Sequence, residues 1–281
     1  MAGEGGALPW QRAKGKRQRR GAFRIRSNAG MVRYALPSMS PPIYAVSMIK
    51  VASYNIRKAL GTDRRRNPER IIDVLNELDA DVIALQEADR RFGQRNAVLP
   101  PRLLEAHSAY RAVPLAVGAA SMGWHGNAIL VRGDAKVLAH DLVHLPCLEP
   151  RGAVSATVAV RGLALRLFGM HLDLSGLWRR RQAAALLHHA QVANTHGPEL
   201  PTVLVGDTNE WRPSGGCLRD FARQYRLVAS GRSYHATRPV AQLDRIMHSP
   251  DLVARESGVH SSLTARHASD HLPVWAVLDK A

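Results

Sequence analysis

Asp207 and Asn209 stand two residues apart in Val205-Gly206-Asp207-Thr208-Asn209, at the end of an apolar run. If the backbone stays extended there, their side chains share a face, and a carboxylate and an amide point at one site. The spacing recurs in His171-Leu172-Asp173, after a run that alternates Leu and Phe with smaller or polar residues. Asn55 ends a third apolar run, Gln86-Glu87 a fourth, Asp244 sits in Gln242-Leu243-Asp244-Arg245, and Asp270-His271 precede the last apolar run. Oxygen and imidazole groups of this kind suit attack on a phosphate ester, because the negative charge growing on the phosphate oxygens can be met by a carboxylate-bound cation and one or two histidines. Hard oxygen donors favour magnesium over zinc. A histidine beside a carboxylate is expected to be charged near neutral pH, so His271 or His171 is expected to donate to an anion. Arg57, Arg90, Arg91, Arg180 and Arg212 lie beside these motifs and are candidate phosphate clamps.

Each residue alone has an ordinary structural role. Asn55 or Asn209 can end a strand in a turn, Glu87 can cap a helix, Asp270 can make an Asx-turn and His171 can be a satisfied core histidine. It is their joint occurrence, each at the end of a different apolar run, that points to chemistry.

The elements that must position them can be read from periodicity. A strand is expected over 50–55, followed by Asn67-Pro68 as N-cap and first helical residue before Ile71, Ile72, Leu75 and Leu78 at helical spacing,. A buried strand is expected over 81–86. After a loop-rich stretch with Pro100-Pro101, strand candidates follow at 127–132, 136–143, 153–160 and 163–171. They lie too close in sequence for crossover helices and should pair largely antiparallel. A second helix is expected over 177–193, a strand over 202–206, a third helix over 216–226, and strands over 243–248 and 273–278. The pattern suggests two packed sheets with helices outside. No repeat of fixed period is visible.

Composition limits the alternatives. A chain of 281 residues with 46% hydrophobic composition can bury a sizeable core, and one domain from residue 48 onward plus a tail is expected,. Two cysteines, Cys147 and Cys217, make neither a disulfide framework nor a CxxC motif, which suits a reducing, cytoplasmic setting,. No apolar stretch approaches the roughly 20 residues of a membrane-spanning helix. Nine of the 39 Lys/Arg and one of the 23 Asp/Glu precede residue 49, so half of the net charge of +16 sits in that extension. Residues 1–47 are therefore expected to be disordered, an upstream extension without function or one that contacts nucleic acid or anionic lipid. Arg19-Arg20 lacks the apolar segment of a twin-arginine signal, and an Arg-rich, acid-poor start also suits a transit peptide,.

The motifs Ser-Tyr-Asn-Ile-Arg at 53–57, Ala-Leu-Gln-Glu at 84–87, Gly-Asn-Ala-Ile-Leu at 126–130, His-Leu-Asp-Leu at 171–174, Gly-Asp-Thr-Asn-Glu-Trp at 206–211, Leu-Asp-Arg-Ile at 243–246 and Ser-Asp-His-Leu-Pro at 269–273 span nearly all of 49–278. Together they resemble the endonuclease/exonuclease/phosphatase superfamily, which includes deoxyribonuclease I, exonuclease III and the neutral sphingomyelinases. The resemblance implies a four-layer α/β/β/α sandwich of two mixed, mainly antiparallel sheets flanked by helices. It implies a magnesium-dependent hydrolase of phosphodiester or phosphomonoester bonds, with manganese as a substitute ion.

By the same resemblance Glu87 is the principal metal ligand, Asn55 an oxygen ligand or its neighbour, and Asp270 assists at the metal. Asp207 would orient or activate the attacking water, Asn209 would hold a phosphate oxygen, and His271, with Asp244 hydrogen-bonded behind it, would contact the scissile phosphate and exchange protons. His171 matches a second histidine of the deoxyribonuclease I and sphingomyelinase branches. Arg57, Asn127, Asp173, Arg180 and Arg212 are the candidate substrate contacts. Thr208 replaces the usual large apolar residue, Arg57 stands where some nucleases have a second Asn, and Asp173 is additional. The substrate is expected to be nucleic acid, a phospholipid head group or a small phosphate ester. The competing class is a catalytically weak module that binds nucleic acid or membrane through its basic extension. Aromatic content of 5%, with no aromatic-interleaved basic stripe, weighs slightly against a nuclease,.

Overall fold

Alternation sets the first strand, β1 (Ile49–Asn55): Ile49 and Val51 enter one apolar layer, Ala52 and Tyr54 another. The computed structural model describes residues 48–91, 93–116, 118 and 120–281, so the basic extension and every expectation about it lie outside the described residues. Three left-handed residues, Arg57, Lys58 and Ala59, turn the chain after β1. Asn67 then caps α1 (Pro68–Leu78), its Oδ1 accepting from the Arg70 amide at 2.9 Å, and Ile71, Ile72, Leu75 and Leu78 form the buried stripe,. From there the chain runs through β2 (Val82–Gln86), α2 (Pro101–His107), β3 (Tyr110–Ala112), β4 (Ala128–Arg132), β5 (Lys136–Val143), β6 (Gly152–Val160) and β7 (Leu163–His171). It continues with α3 (Gly176–His196), β8 (Thr202–Asp207), α4 (Leu218–Phe221), β9 (Arg226–Leu227), β10 (Asp244–His248), β11 (Leu252–Val259), α5 (Leu263–Ala268) and β12 (Val274–Lys280).

The strands form two six-stranded sheets, ordered β11-β12-β1-β2-β4-β3 and β5-β6-β7-β8-β10-β9. Each has one parallel pair, β1 with β2 and β7 with β8, while the remaining pairs are antiparallel. Helix α1 makes the crossover in the first sheet and α3 in the second, as a parallel connection requires. The two sheets thus repeat one pairing pattern, although the sequence shows no periodic repeat. Val51, Ala84, Val154, Leu165, Val205 and Ile246 belong to the layer between the sheets. The outer layers pack α1, α2 and α5 on the first sheet and α3 and α4 on the second. The result is the expected four-layer α/β/β/α sandwich.

Several elements departed from the expectation, among them the short strand β3 in the stretch expected to be loop. The helix expected over 216–226 is one turn, Leu218–Phe221, because Arg226 and Leu227 leave to pair with His248 and Met247. Helix α2, in the stretch expected to be loop, has only Leu104 fully buried, too little for a visible stripe. Strand β11 is an edge strand with a bulge between Ala254 and Glu256, which breaks its alternation,. Helix α5 has six residues, less than two turns of pattern. Both cysteines are free, and among the described residues no helix is long and apolar enough to cross a membrane.

Gly206 is the tightest point between the central strands of the second sheet. It has φ +150°, and a Cβ there would lie 1.9 Å from the Met170 carbonyl oxygen on β7. Gly206→Ala is therefore expected to push β7 and β8 apart and destabilise the fold by about 3 kcal/mol, or roughly 6–12 °C in melting midpoint. A thermal or denaturant melt of the variant checks this, and an unchanged midpoint would show that the strands yield freely.

Candidate active site

Sheet topology brings the chemical groups to one end of the sandwich. In a parallel pair both strands finish at the same end, and each antiparallel neighbour begins or passes there. Asn55 is paired with Gln86, His171 with Asp207, and Asp244 with Asp207. His171, Asp207 and Asp244 thus stand side by side on three adjacent strands, and Asn55 faces them from the other sheet.

Asp207 is the focus. Its Oδ2 accepts from Asn55 Nδ2 at 3.0 Å and lies 3.5 Å from His171 Nε2 and 3.8 Å from His271 Nε2. Its Oδ1 accepts from the Asn209 amide at 2.9 Å. Asp244 Oδ2 takes a hydrogen bond from His271 Nδ1 at 2.8 Å and another from Ser233 Oγ at 2.5 Å, and Asp244 Oδ1 is buried without a partner. The Tyr234 ring lies 4.9 Å from the His271 ring, and the Ser269 hydroxyl accepts from the His271 amide while donating to the Asn55 carbonyl.

The two histidines carry opposite protonation. Burial pushes the His171 imidazole down to about 3, with Arg151 adding to the push and Asp207 opposing it. Burial also works against a charge on His271, but Asp244 and Asp207 overrule it and hold this imidazole up at about 10. At neutral pH His171 is neutral and His271 charged. The expectation that either could serve as the cation is corrected for His171: one carboxylate does not offset burial beside an arginine. Arg151 donates to His171 Nε2, and since a guanidinium can only donate, the imidazole proton belongs on Nδ1,.

Glu87 and Asp270 form the second part of the site. Glu87 is left-handed, φ +56°, where β2 ends, and the Lys58 ammonium rests on its Oε2. Arg57 Nε lies 3.2 Å from Asp270 Oδ2. Asn55 Oδ1 accepts from the Arg57 amide at 3.1 Å. The left-handed turn Arg57–Ala59 thus aims two successive cations at two carboxylates, in a conformation that costs roughly 1–2 kcal/mol per non-glycine residue,.

Not every expected site residue converges here. Asp207 and Asn209 do not share an extended face, because β8 ends at Asp207 and Asn209 is left-handed, φ +49°. Asn209 is tied in differently, its Nδ2 donating to the Leu172 carbonyl at 2.9 Å. Asp173 likewise lies past the end of β7, and its Oδ1 accepts from the Ser175 amide at the start of α3. Asn127 is fully buried and donates to the Trp124 and Gly152 carbonyls, tying a turn to β6. Arg180 and Arg212 line a separate cleft beside α3. Lys58, Arg151, Ser233 and Tyr234 are the site neighbours that sequence reading missed. Lys58 adjoins the first motif, but Arg151, Ser233 and Tyr234 lie in loops where nothing in the sequence marks them.

The fold recurs in proteins of distant sequence. The human Nocturnin catalytic domain with bound sulfate anion is 21% identical, with 84% of this chain and 96% of that one covered at a TM-score of 0.65. The mannosyl-6-phosphatase Bt3783 of Bacteroides thetaiotaomicron is 20% identical, with 82% and 99% covered at a TM-score of 0.63. An endonuclease/exonuclease/phosphatase of Bacteroides vulgatus is 17% identical, with 83% and 99% covered at a TM-score of 0.66. No curated protein sequence matches the chain. The profile of the Endonuclease/Exonuclease/phosphatase family matches residues 52–271, a span that takes in Asn55, Glu87, His171, Asp207, Asp244 and His271. On that match the chain belongs to the Endonuclease/Exonuclease/phosphatase family, hydrolases of the phosphodiesterase and phosphatase type.

Proposed function

We propose that this chain is a divalent-metal-dependent phosphodiesterase that cleaves its substrate by attack of water. The observation that carries the reading is a buried carboxylate, Asp207, flanked by one neutral and one charged imidazole. Two titratable groups of one kind pushed in opposite directions mark an acid and base division of labour. Asp207 orients the attacking water and accepts its proton, while Asn55 holds the carboxylate in place. His271 keeps Nδ1 on Asp244, which leaves Nε2–H free to donate to a phosphate oxygen as charge builds there,. Neutral His171 borders the same carboxylate, and Arg151 fixes its tautomer.

The donor set fits a hard cation. Glu87 and Asp270 offer carboxylates and Asn55 an amide oxygen, and both carboxylates already attract a side-chain cation, Lys58 and Arg57. Glu87, Asp270 and Asn55 would hold magnesium or manganese, and when bound the ion supplies positive charge against the developing negative charge on the phosphate. Asp207, Asp244 and His271 also offer ligand atoms within 4.8 Å of one another. That group is the poorer choice, because His271 Nδ1 and Asp244 Oδ2 already satisfy each other. The catalytic domain is assigned to residues 48–281. The Bacteroides thetaiotaomicron neighbour bears the name mannosyl-6-phosphatase, which keeps phosphomonoester hydrolysis beside phosphodiester hydrolysis as the reaction of this site.

Hydrolysis of bis(p-nitrophenyl) phosphate should vanish in excess chelator and return with magnesium or manganese. Full activity in chelator sinks the metal reading. Glu87→Gln should raise the metal requirement or abolish turnover while its melting midpoint stays near that of the parent protein.

Asp244→Asn and His271→Ala should each lower kcat by about 10²–10⁴-fold, with a much smaller change in KM. Because the two residues act as one unit, the double variant should lose little more than either single one. Losses that multiply would show that Asp244 and His271 contribute independently and are not a unit.

A further inference from the structure

Among the described residues, large apolar side chains are exposed at nine positions, and four of them follow the site strands β7 and β8 or adjoin Tyr234. Leu174 is 64% exposed, Leu177 59%, Trp211 59% and Val240 55%. Leu174 follows β7 by three residues, and Arg179 Nη1 donates to its carbonyl at 2.5 Å. Trp211 follows β8 and meets Tyr234 edge to face at 5.8 Å, and the Val240 amide donates to the Tyr234 carbonyl at 2.6 Å. Since Tyr234 also touches His271, Trp211 and Val240 border the catalytic mouth, and Leu174 and Leu177 lie just after the strand that carries His171. Exposed apolar groups gathered in one place mark an interaction surface.

Positive charge lies beside these residues. A cleft of about 480 Å³ is lined by the five arginines Arg179, Arg180, Arg212, Arg219 and Arg223 and by the two acids Glu210 and Asp220. Arg180 and Arg223 lie 3.6 and 3.8 Å from Asp220, whereas Arg212 and Arg219 have no ion-pair partner among the described residues. Helix α3 adds to the imbalance, with Arg179, Arg180 and Arg181 near its N-terminus and no acid in its first turn. The helix dipole disfavours cations at that end, and Glu210 on Arg179 and Asp220 on Arg180 offset only these two, so the unpaired charge is that of Arg212 and Arg219,.

We propose that this face docks on an anionic phospholipid bilayer, with Leu174, Leu177, Trp211 and Val240 entering the interface and the arginine cleft meeting lipid phosphates. A bilayer matches both features at once, an apolar layer beneath a charged one. Nucleic acid matches only the charge: three of the four apolar residues are aliphatic, and it is aromatic faces that stack bases. Docking turns the catalytic mouth toward the membrane. The proposal builds on the hydrolase reading only in the meaning of that orientation.

Sedimentation of the full chain with vesicles of phosphatidylglycerol and phosphatidylcholine, against phosphatidylcholine alone, tests it. The chain should bind the anionic vesicles and bind the neutral ones much more weakly. Leu174→Asp/Leu177→Asp should weaken binding at least about tenfold. Arg219→Glu/Arg223→Glu should weaken it by about fivefold or more per arginine and remove the preference for anionic lipid. Both double variants should hydrolyse soluble bis(p-nitrophenyl) phosphate like the parent chain. Absent vesicle binding, or binding that neither variant changes, overturns the proposal, the latter pointing to the basic extension as the lipid contact. A leucine variant that changes oligomeric state in the absence of vesicles overturns it in favour of self-association. Duplex DNA that binds the arginine cleft and is indifferent to the leucine variant overturns it in favour of nucleic acid. A parent chain that binds vesicles but hydrolyses no soluble ester leaves docking standing and removes the hydrolase reading instead.

Discussion

Two carboxylates, Asp207 and Asp244, are buried on adjacent strands at the same register, and their burial constrains everything around them. Like charges out of water are costly unless a counter-charge and hydrogen bonds accompany them. His271 supplies the counter-charge, with Nδ1 on Asp244 and Nε2 toward Asp207. The proton that His271 would donate in catalysis is therefore also the one that makes two buried acids tolerable. A neutral residue there would remove the chemistry and leave the acids uncompensated. Ser233 and the Asn55 amide complete the hydrogen bonding, and through Asn55 the cluster joins the two sheets.

The same constraint explains His171. With His271 already charged beside Asp207, and Arg151 against His171 Nε2, a third positive charge in the buried cluster would gain little and lose its hydration,. His171 stays neutral, and the two imidazoles differ because of their neighbours. At Glu87 and Asp270 the logic is reversed: two carboxylates stand at one end of the first sheet, and the chain turns three residues left-handed to bring Lys58 and Arg57 to them. Strained backbone of this kind is retained where it positions a working group. The lysine and arginine show that this end of the site is built for positive charge.

Much of the fold was legible along the chain because its signals are local. The Asn67-Pro68 start of α1, the alternation in β1 and the apolar run of β8 depend on neighbours a few residues away, and the structure shows each of them. Helix α4, strand β11 and helix α5 were not legible. Their form is set by partners distant in sequence: β9 takes Arg226 from the end of the expected helix, and β12 holds the bulged edge strand. The site followed the same division. Asn55, Glu87, His171, Asp207, Asp244 and His271 were singled out as candidates because they end apolar runs or fall in family motifs. Arg151, Ser233 and Tyr234 escaped notice because loop positions carry no periodicity.

By itself the sequence determined the identities of the chemical groups and the strand ends that carry them, since both depend on residue type and short-range pattern. It did not determine how those groups face one another. Alternation suggested that Asp207 would share a face with Asn209 and His171 with Asp173, but the strands stop and turn at Asp207 and His171, so both pairs come apart. Nor did it determine charge. The protonation of His171 and His271 depends on burial and on charged groups brought from elsewhere in the chain, such as Arg151 for one and Asp244 for the other, quantities that exist only once the two sheets have closed on each other.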